Sequence, residues 1–197
     1  MDGRCQKIKF LIDCTIVLRV IIKNKSMKKN IVKEPKISKK VIDYLDKNKY
    51  KYEIIKHKTT FTSWDTAQTE KVKPNEVAKT LVMKVDKDWI LAMLPSNKNI
   101  NKKDLLKLIN KDSDAKYKKI DFADEKWLKK NMKVGKLGAV PPFGELLKTK
   151  VCFDKELQKN KKIYVSSGEY DASLRILVSQ YLKIEKPILG KFNVKKP

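Results

Sequence analysis

The chain has 197 residues, 41% of them hydrophobic, with a formal net charge of +24, enough for one domain with a core of its own. Only Arg4, Arg19 and Arg175 are arginines among the 47 basic residues, which leaves 44 lysines; the charge therefore permits RNA binding without arguing for fixed, bidentate phosphate contacts. One histidine and three scattered cysteines exclude a multi-histidine metal site and a disulfide framework, and they point to a reducing, cytoplasmic setting.

Residues 1–36 read as an N-terminal extension and a basic linker ending near Pro35. The apolar run at 8–22 carries Asp13 and Arg19, so it is too short and too charged for a membrane span. It also lacks the small-residue cleavage site of a signal peptide. Two readings stay open: a mis-called start ahead of Met27, which we favour, or an extra element packed on the domain.

From residue 37 the pattern becomes globular. Ser38 reads as the N-cap of a helix over 39–48, with Val41, Ile42 and Leu45 on one face. Tyr52, Ile54 and Ile55 suggest a strand running towards His57. Residues 58–73 are polar and aromatic, with Phe61 and Trp64, and 74–78 read as a helical turn. Residues 80–85 and 89–94 form a hairpin around Asp86-Lys87-Asp88. Asn101, with Asp104 three residues on, starts a capped helix whose buried stripe is Leu105, Leu106 and Ile109. A further helix covers 123–132 and stops near Gly135.

The segment Gly138-Ala139-Val140-Pro141-Pro142-Phe143-Gly144 interrupts this pattern. Two prolines fix φ and remove two donors, and the glycines allow close backbone approaches. Such a loop is either a structural corner or a rigid holder for a small group. Beyond it, 151–153, 163–166 and 174–177 read as strands, Ser179 opens a last short helix, and 191–197 read as a basic tail. Short strands mixed with helices give an α+β, or mixed α/β, domain.

Alternation along a strand puts Lys79 on the side of Leu81, Met83 and Val85, at the edge of the core, while Lys84 has the opposite parity. A partly buried lysine needs an anion or carbonyl oxygens, or it snorkels past the sheet edge. His57 reads as a structural hydrogen-bonder. Phe61 and Trp64 suit either core packing or stacking on an unpaired base. Asp171 suits either a turn cap or a contact to a substrate amino group. Cys152, in an apolar strand, reads as buried and inert.

Taken in order, His57, the Ala78-Lys79-Thr80-Leu81-Val82-Met83 strand, Leu94-Pro95, the Pro-Pro-Phe-Gly loop and the Ser167-Gly168 turn resemble the YbaK-like family. These are free-standing relatives of the editing domain inserted in bacterial prolyl-tRNA synthetases. The resemblance runs from about Ile37 to Pro187, within a domain expected over 37–190. It implies a curved, barrel-like mixed sheet with flanking helices, and a trans-editing aminoacyl-tRNA deacylase acting on mischarged tRNA. The expected substrate is tRNA(Pro) carrying a smaller amino acid, such as alanine or cysteine.

The resemblance makes Lys79 a functional lysine and matches Gly138 and Pro142 to the G-x-x-x-P spacing of the editing loop. It implies catalytic roles for Lys79, Gly138 and Ala139, and substrate contacts from Lys79, Thr80, Gly138, Pro142, Gly144, Gly168, Asp171 and Ser173. An aminoacyl ester is already activated, so a positioned water and fixed oxyanion donors suffice, with no metal and no cofactor. The expected partners are the tRNA acceptor end and a synthetase, with no membrane and no DNA. Where relatives carry a histidine or small polar residue, this chain has Glu169-Tyr170. That departure keeps a competing reading open: a non-catalytic protein that binds a tRNA end or small ligand beside a synthetase.

Overall fold

A computed structural model describes residues 37–114 and 116–196. The expected extension and linker at 1–36 lie outside the described residues.

Helix α1 (Lys39–Lys47) follows Ser38, whose side chain makes no capping bond, and buries Val41, Tyr44 and Leu45. Strand β1 (Tyr52–Lys56) comes next, followed by α2 (Ser63–Thr69). The hairpin is β2 (Ala78–Val85) with β3 (Asp88–Pro95), and its tight turn places Asp86 at φ +52°. The short β4 (Lys98–Ile100) leads into α3 (Lys102–Asp112). There the Asn101 side chain accepts from the Lys103 and Asp104 N–H groups, as the local pattern requires. Strand β5 (Ile120–Phe122) and helix α4 (Glu125–Asn131), capped by Asp124, precede the proline loop. That loop ends in the one-turn α5 (Gly144–Leu147). Then come β6 (Lys150–Asp154), β7 (Lys162–Ser166), β8 (Ala172–Leu177), α6 (Val178–Glu185), β9 (Ile188–Gly190) and β10 (Asn193–Lys195).

The order β5-β2-β3-β6-β9 makes a mixed sheet, antiparallel at β5-β2-β3 and parallel from β3 through β6 to β9. A second sheet runs β1-β8-β7, and a parallel bridge from Val77 to Tyr164 joins it to the start of β2. The result is the curved mixed sheet with flanking helices that the sequence led us to expect. Alternation along β3 divides two cores. Leu91 and Met93 face one with α1, β7 and β8, while Ile90, Ala92 and Leu94 face the other with α3.

Three segments depart from expectation. Residues 74–78 form a turn and not a helix: the Glu76 N–H closes on the Lys73 carbonyl at 2.8 Å, and Ala78 already belongs to β2. Helix α2 appears where no element was predicted, because its sequence buries only Ala67 and has no apolar stripe. Its signal was the cap: Thr62 Oγ1 accepts from the Asp65 N–H at 3.1 Å, a Thr-x-x-Asp pattern. Residues 191–197, expected as a basic tail, instead include fully buried Phe192 and β10, which pairs with β4. The buried Asp154 carboxylate pins this segment by accepting from the Phe192 N–H at 2.9 Å and Asn193 Nδ2 at 2.6 Å.

Candidate functional site

The first half of β2 has an open edge. Glu76 O accepts from the Tyr164 N–H at 2.9 Å, and Val82 O accepts from the Ala123 N–H at 3.0 Å. Between them, on the same edge by parity, Thr80 has no strand partner among the described residues; its pairing with Met93 lies on the opposite edge. The Thr80 hydroxyl is buried and equally unpartnered there. This edge forms one wall of a cleft of about 240 Å³. Residues 138–140 and the β7–β8 end form the other walls, with residues 60–63 at the rim.

Five of the predicted site residues line that cleft: Lys79, Thr80, Gly138, Ala139 and Ser173. The other four stand outside its lining. The Pro142 carbonyl accepts a hydrogen bond from the buried Tyr181 hydroxyl. The Gly144 N–H donates to Glu185 Oε2 at 2.8 Å, and a Cβ there would meet Thr149 O at 2.6 Å, so this glycine serves packing. Gly168 turns the chain at φ +94° against Gly135. Asp171 is exposed, and its carbonyl accepts from the His57 N–H at 3.0 Å.

Lys79 is half-buried, and its ammonium donates to the Lys98 carbonyl. Burial, and secondarily the positive charge of Lys196, push its pKa down to about 8. Lys196 itself sits 5.2 Å over the Trp64 ring. C-terminal chain thus reaches the cleft mouth, a neighbour that the local pattern around Lys79 gave no sign of.

The glycine loop is less free than its composition suggests. The Ala139 N–H donates to the Lys136 carbonyl at 2.9 Å, so it is engaged and not a ready oxyanion donor. The Gly138 N–H has no protein partner among the described residues. Gly138 adopts φ +80°, and a Cβ on it would find only the Phe61 carbonyl, 4.0 Å away.

The Glu169-Tyr170 pair acts on this same loop. Glu169 pairs with Lys136 at 2.7 Å, raising the lysine's pKa, and Tyr170 Oη donates to the Leu137 carbonyl at 2.6 Å. Phe61, 69% exposed, packs against Tyr170 with ring centres 5.1 Å apart and gives the mouth an aromatic rim.

In the cleft lining, His57 Nε2 lies 3.0 Å from Ser173 Oγ and 3.5 Å from Glu70 Oε1. Nδ1 contacts the Lys58 carbonyl at 2.8 Å, which can only accept, so Nδ1 carries hydrogen. Hydroxyl and carboxylate thus share one ring nitrogen, unlike a nucleophile-base-acid relay, where the acid orients the opposite nitrogen. Burial raises the Glu70 carboxyl, opposed by Ser173, His57 and Arg175. Cys152 is buried and its thiol is pushed up to about 12, chiefly by that burial. Among the described residues, no three His, Cys, Asp or Glu side chains group as metal ligands, and no helix is long and apolar enough to cross a membrane.

Residues 57–184 match the model of the aminoacyl-tRNA editing domain family. No curated protein matches the chain by sequence. Among solved structures, the chain is similar to a candidate trans-editing enzyme for prolyl tRNA synthetase, with TM-score 0.70 and 15% identity, over 84% of this chain and 100% of that one. It is also similar to the hypothetical protein APE2540, with TM-score 0.69 and 19% identity, over 79% of this chain and 99% of that one. These two likenesses show the fold, and the family match covers well over half of the sequence. The open edge at Thr80, the lysine beside it and the glycine loop opposite therefore sit in a chain that belongs to the aminoacyl-tRNA editing domain family.

Proposed function

We propose that the protein is a trans-editing aminoacyl-tRNA deacylase of the cytoplasm, acting on the acceptor end of tRNA(Pro) charged with a smaller amino acid such as alanine or cysteine, beside a prolyl-tRNA synthetase. The observation that carries this reading is the meeting of Lys79, the unpaired Thr80 edge and the open Gly138 backbone in one small cleft. A strand edge offers an N–H and a C=O side by side, which suits the polar backbone of an aminoacyl group.

In this reading, water adds to the ester carbonyl carbon. Lys79 or Thr80 holds the developing oxyanion, and the Gly138 N–H holds the amino acid. The intermediate collapses, the bond to the ribose oxygen breaks, and that oxygen takes up a proton. The already engaged Ala139 N–H has no part in this, which moves the catalytic burden from the loop to the strand. Activity resides in the domain that begins at residue 37 and includes the buried Phe192 and β10, and neither a metal nor a cofactor takes part.

The test is single-turnover hydrolysis of a panel of mischarged tRNAs by the purified protein. Release of alanine or cysteine from tRNA(Pro), with Pro-tRNA(Pro) spared, is the expected result. Binding of the panel without release of any amino acid would replace the enzyme with the binding protein.

A further inference from the structure

The cleft has a neighbour at Lys79. A second groove, of about 330 Å³, is lined by Lys79, Leu81, Asn99, Ile100, Lys102 and Phe122. Lys79 and Leu81 line both cavities, so the two adjoin each other there. Phe122 lies on the edge strand β5, opposite Met83, and 47% of it is exposed. Lys102 stands 4.5 Å over that ring and is held there by Asp121 at 2.6 Å. At the cleft end, Lys79 meets only a neutral carbonyl, with the charge of Lys196 close by. The groove therefore offers cations at both ends and an exposed aromatic ring, which is the chemistry that binds unpaired nucleotides.

We propose that this groove carries the nucleotide preceding the terminal one in the single-stranded 3′ end of an RNA substrate, with its base on Phe122 and the linking phosphate beside Lys102. The inference rests on the deacylase reading for which nucleotide enters the cleft. Lys79 is the basic residue shared by the two cavities, so a strand whose last sugar lies in the cleft passes it on the way out. Lys102 releases the face of Phe122 when the base arrives and stays near as counter-charge to the phosphate.

The experiment compares wild type with Phe122→Ala on two substrates: an aminoacyl-tRNA, and an aminoacyl-adenosine ester that lacks the preceding nucleotide. The variant is expected to lose on the order of tenfold in kcat/KM on the tRNA, through KM, and nothing on the nucleoside ester. Phe122→Trp should restore the tRNA value, and Lys102→Ala should reproduce the selective loss. Equal losses on both substrates, or none on the tRNA, would overturn the proposal.

A second readout does not need turnover: fluorescence anisotropy of a labelled RNA hexamer ending in CCA. Weaker binding by Phe122→Ala supports the groove, whereas equal binding by variant and wild type, or no binding by wild type, overturns it. Wild-type binding without hydrolysis of either ester sinks the deacylase reading alone.

Discussion

Gly135 and Gly168 meet backbone to backbone. A Cβ on Gly168 would stand 3.1 Å from the Gly135 Cα, and the Lys136 N–H donates to the Gly168 carbonyl at 3.0 Å. This contact joins the proline loop to the β7–β8 turn, the two segments that face the open edge of β2. Gly168→Ala combines a left-handed φ with a tight backbone contact, and a loss of about 1–3 kcal/mol in thermal or denaturant unfolding is expected. Turnover should fall with it.

Gly138 gives the contrasting case. Its φ is also left-handed, yet a Cβ there would meet only the Phe61 carbonyl, 4.0 Å away. Gly138→Ala should cost about 1–2 kcal/mol from strain alone. Its methyl group would stand over the cleft, so deacylation should drop further than the stability loss explains. Whole-tRNA binding, carried by lysine-phosphate contacts that weaken with salt, should change little. Single-turnover rates and equilibrium binding on the same folded variant separate the two effects, and an unchanged rate would make the loop a structural corner.

Lys79 sets a pH limit. Its pKa is pushed down to about 8, below the ordinary lysine value of 10.5. If the charged ammonium serves the reaction, the enzyme-dependent rate should fall as pH rises through about 8, after subtraction of spontaneous ester hydrolysis. Removing the second charge with Lys196→Ala should move that fall to higher pH. The same depression means that the folded state gains stability as pH rises from about 8 towards the unfolded lysine range, because only the unfolded chain still holds the proton there. Lys79→Ala should lose on the order of a hundredfold in rate while remaining folded, and Lys84→Ala should lose almost nothing.

What was legible in the sequence was local. Asn101 and Asp104 announce the start of α3 because capping is decided within four residues. The parity of Lys79 follows from strand alternation alone. Helix α2 was missed because Ala67 is its one buried residue, which leaves no periodic stripe to read. The C-terminal strand was missed because what fixes it, the Asp154 carboxylate, lies far away in sequence. The same distance separates the predicted site residues. Thr80 reached the cleft with its strand, whereas Gly144 and Gly168 lie outside its lining in tightly packed loops, an environment that composition does not distinguish from ligand contact. The engagement of the Ala139 N–H is likewise a matter of turn geometry and invisible in residue types.

Glu185 holds the far end of the proline loop. Its carboxylate accepts from Tyr44 Oη at 2.6 Å, Tyr50 Oη at 3.0 Å and the Gly144 N–H at 2.8 Å. Burial pushes the carboxyl up, opposed by these three bonds, and pushes both tyrosines up strongly. Glu185→Gln keeps the shape but turns an amide donor towards at least one donor. A loss on the order of 2 kcal/mol is expected, with faster hydrogen exchange at Gly144 as the local sign. Unchanged exchange there would show that the loop holds itself.

Deacylation should survive chelation. The chain has one histidine, and no three His, Cys, Asp or Glu side chains group as metal ligands among the described residues. The rate in EDTA, with free magnesium held fixed for the tRNA, should equal the untreated rate. Loss that a divalent ion restores would contradict the chemistry proposed for Lys79 and Thr80.

The pairing of β10 with β4 bears on how the protein is handled. It brings Lys196 over Trp64 and within the electrostatic reach of Lys79. A purification tag fused after Pro197 would begin two positions beyond Lys196 in sequence, close to the charge that acts on Lys79 in the proposed site. A histidine tag there would add titratable groups beside Lys79 and blur its pH profile. An acidic linker would compete for the cations. Kinetics on C-terminally tagged protein would then report the tag as much as the enzyme, and an amino-terminal or cleavable tag avoids that.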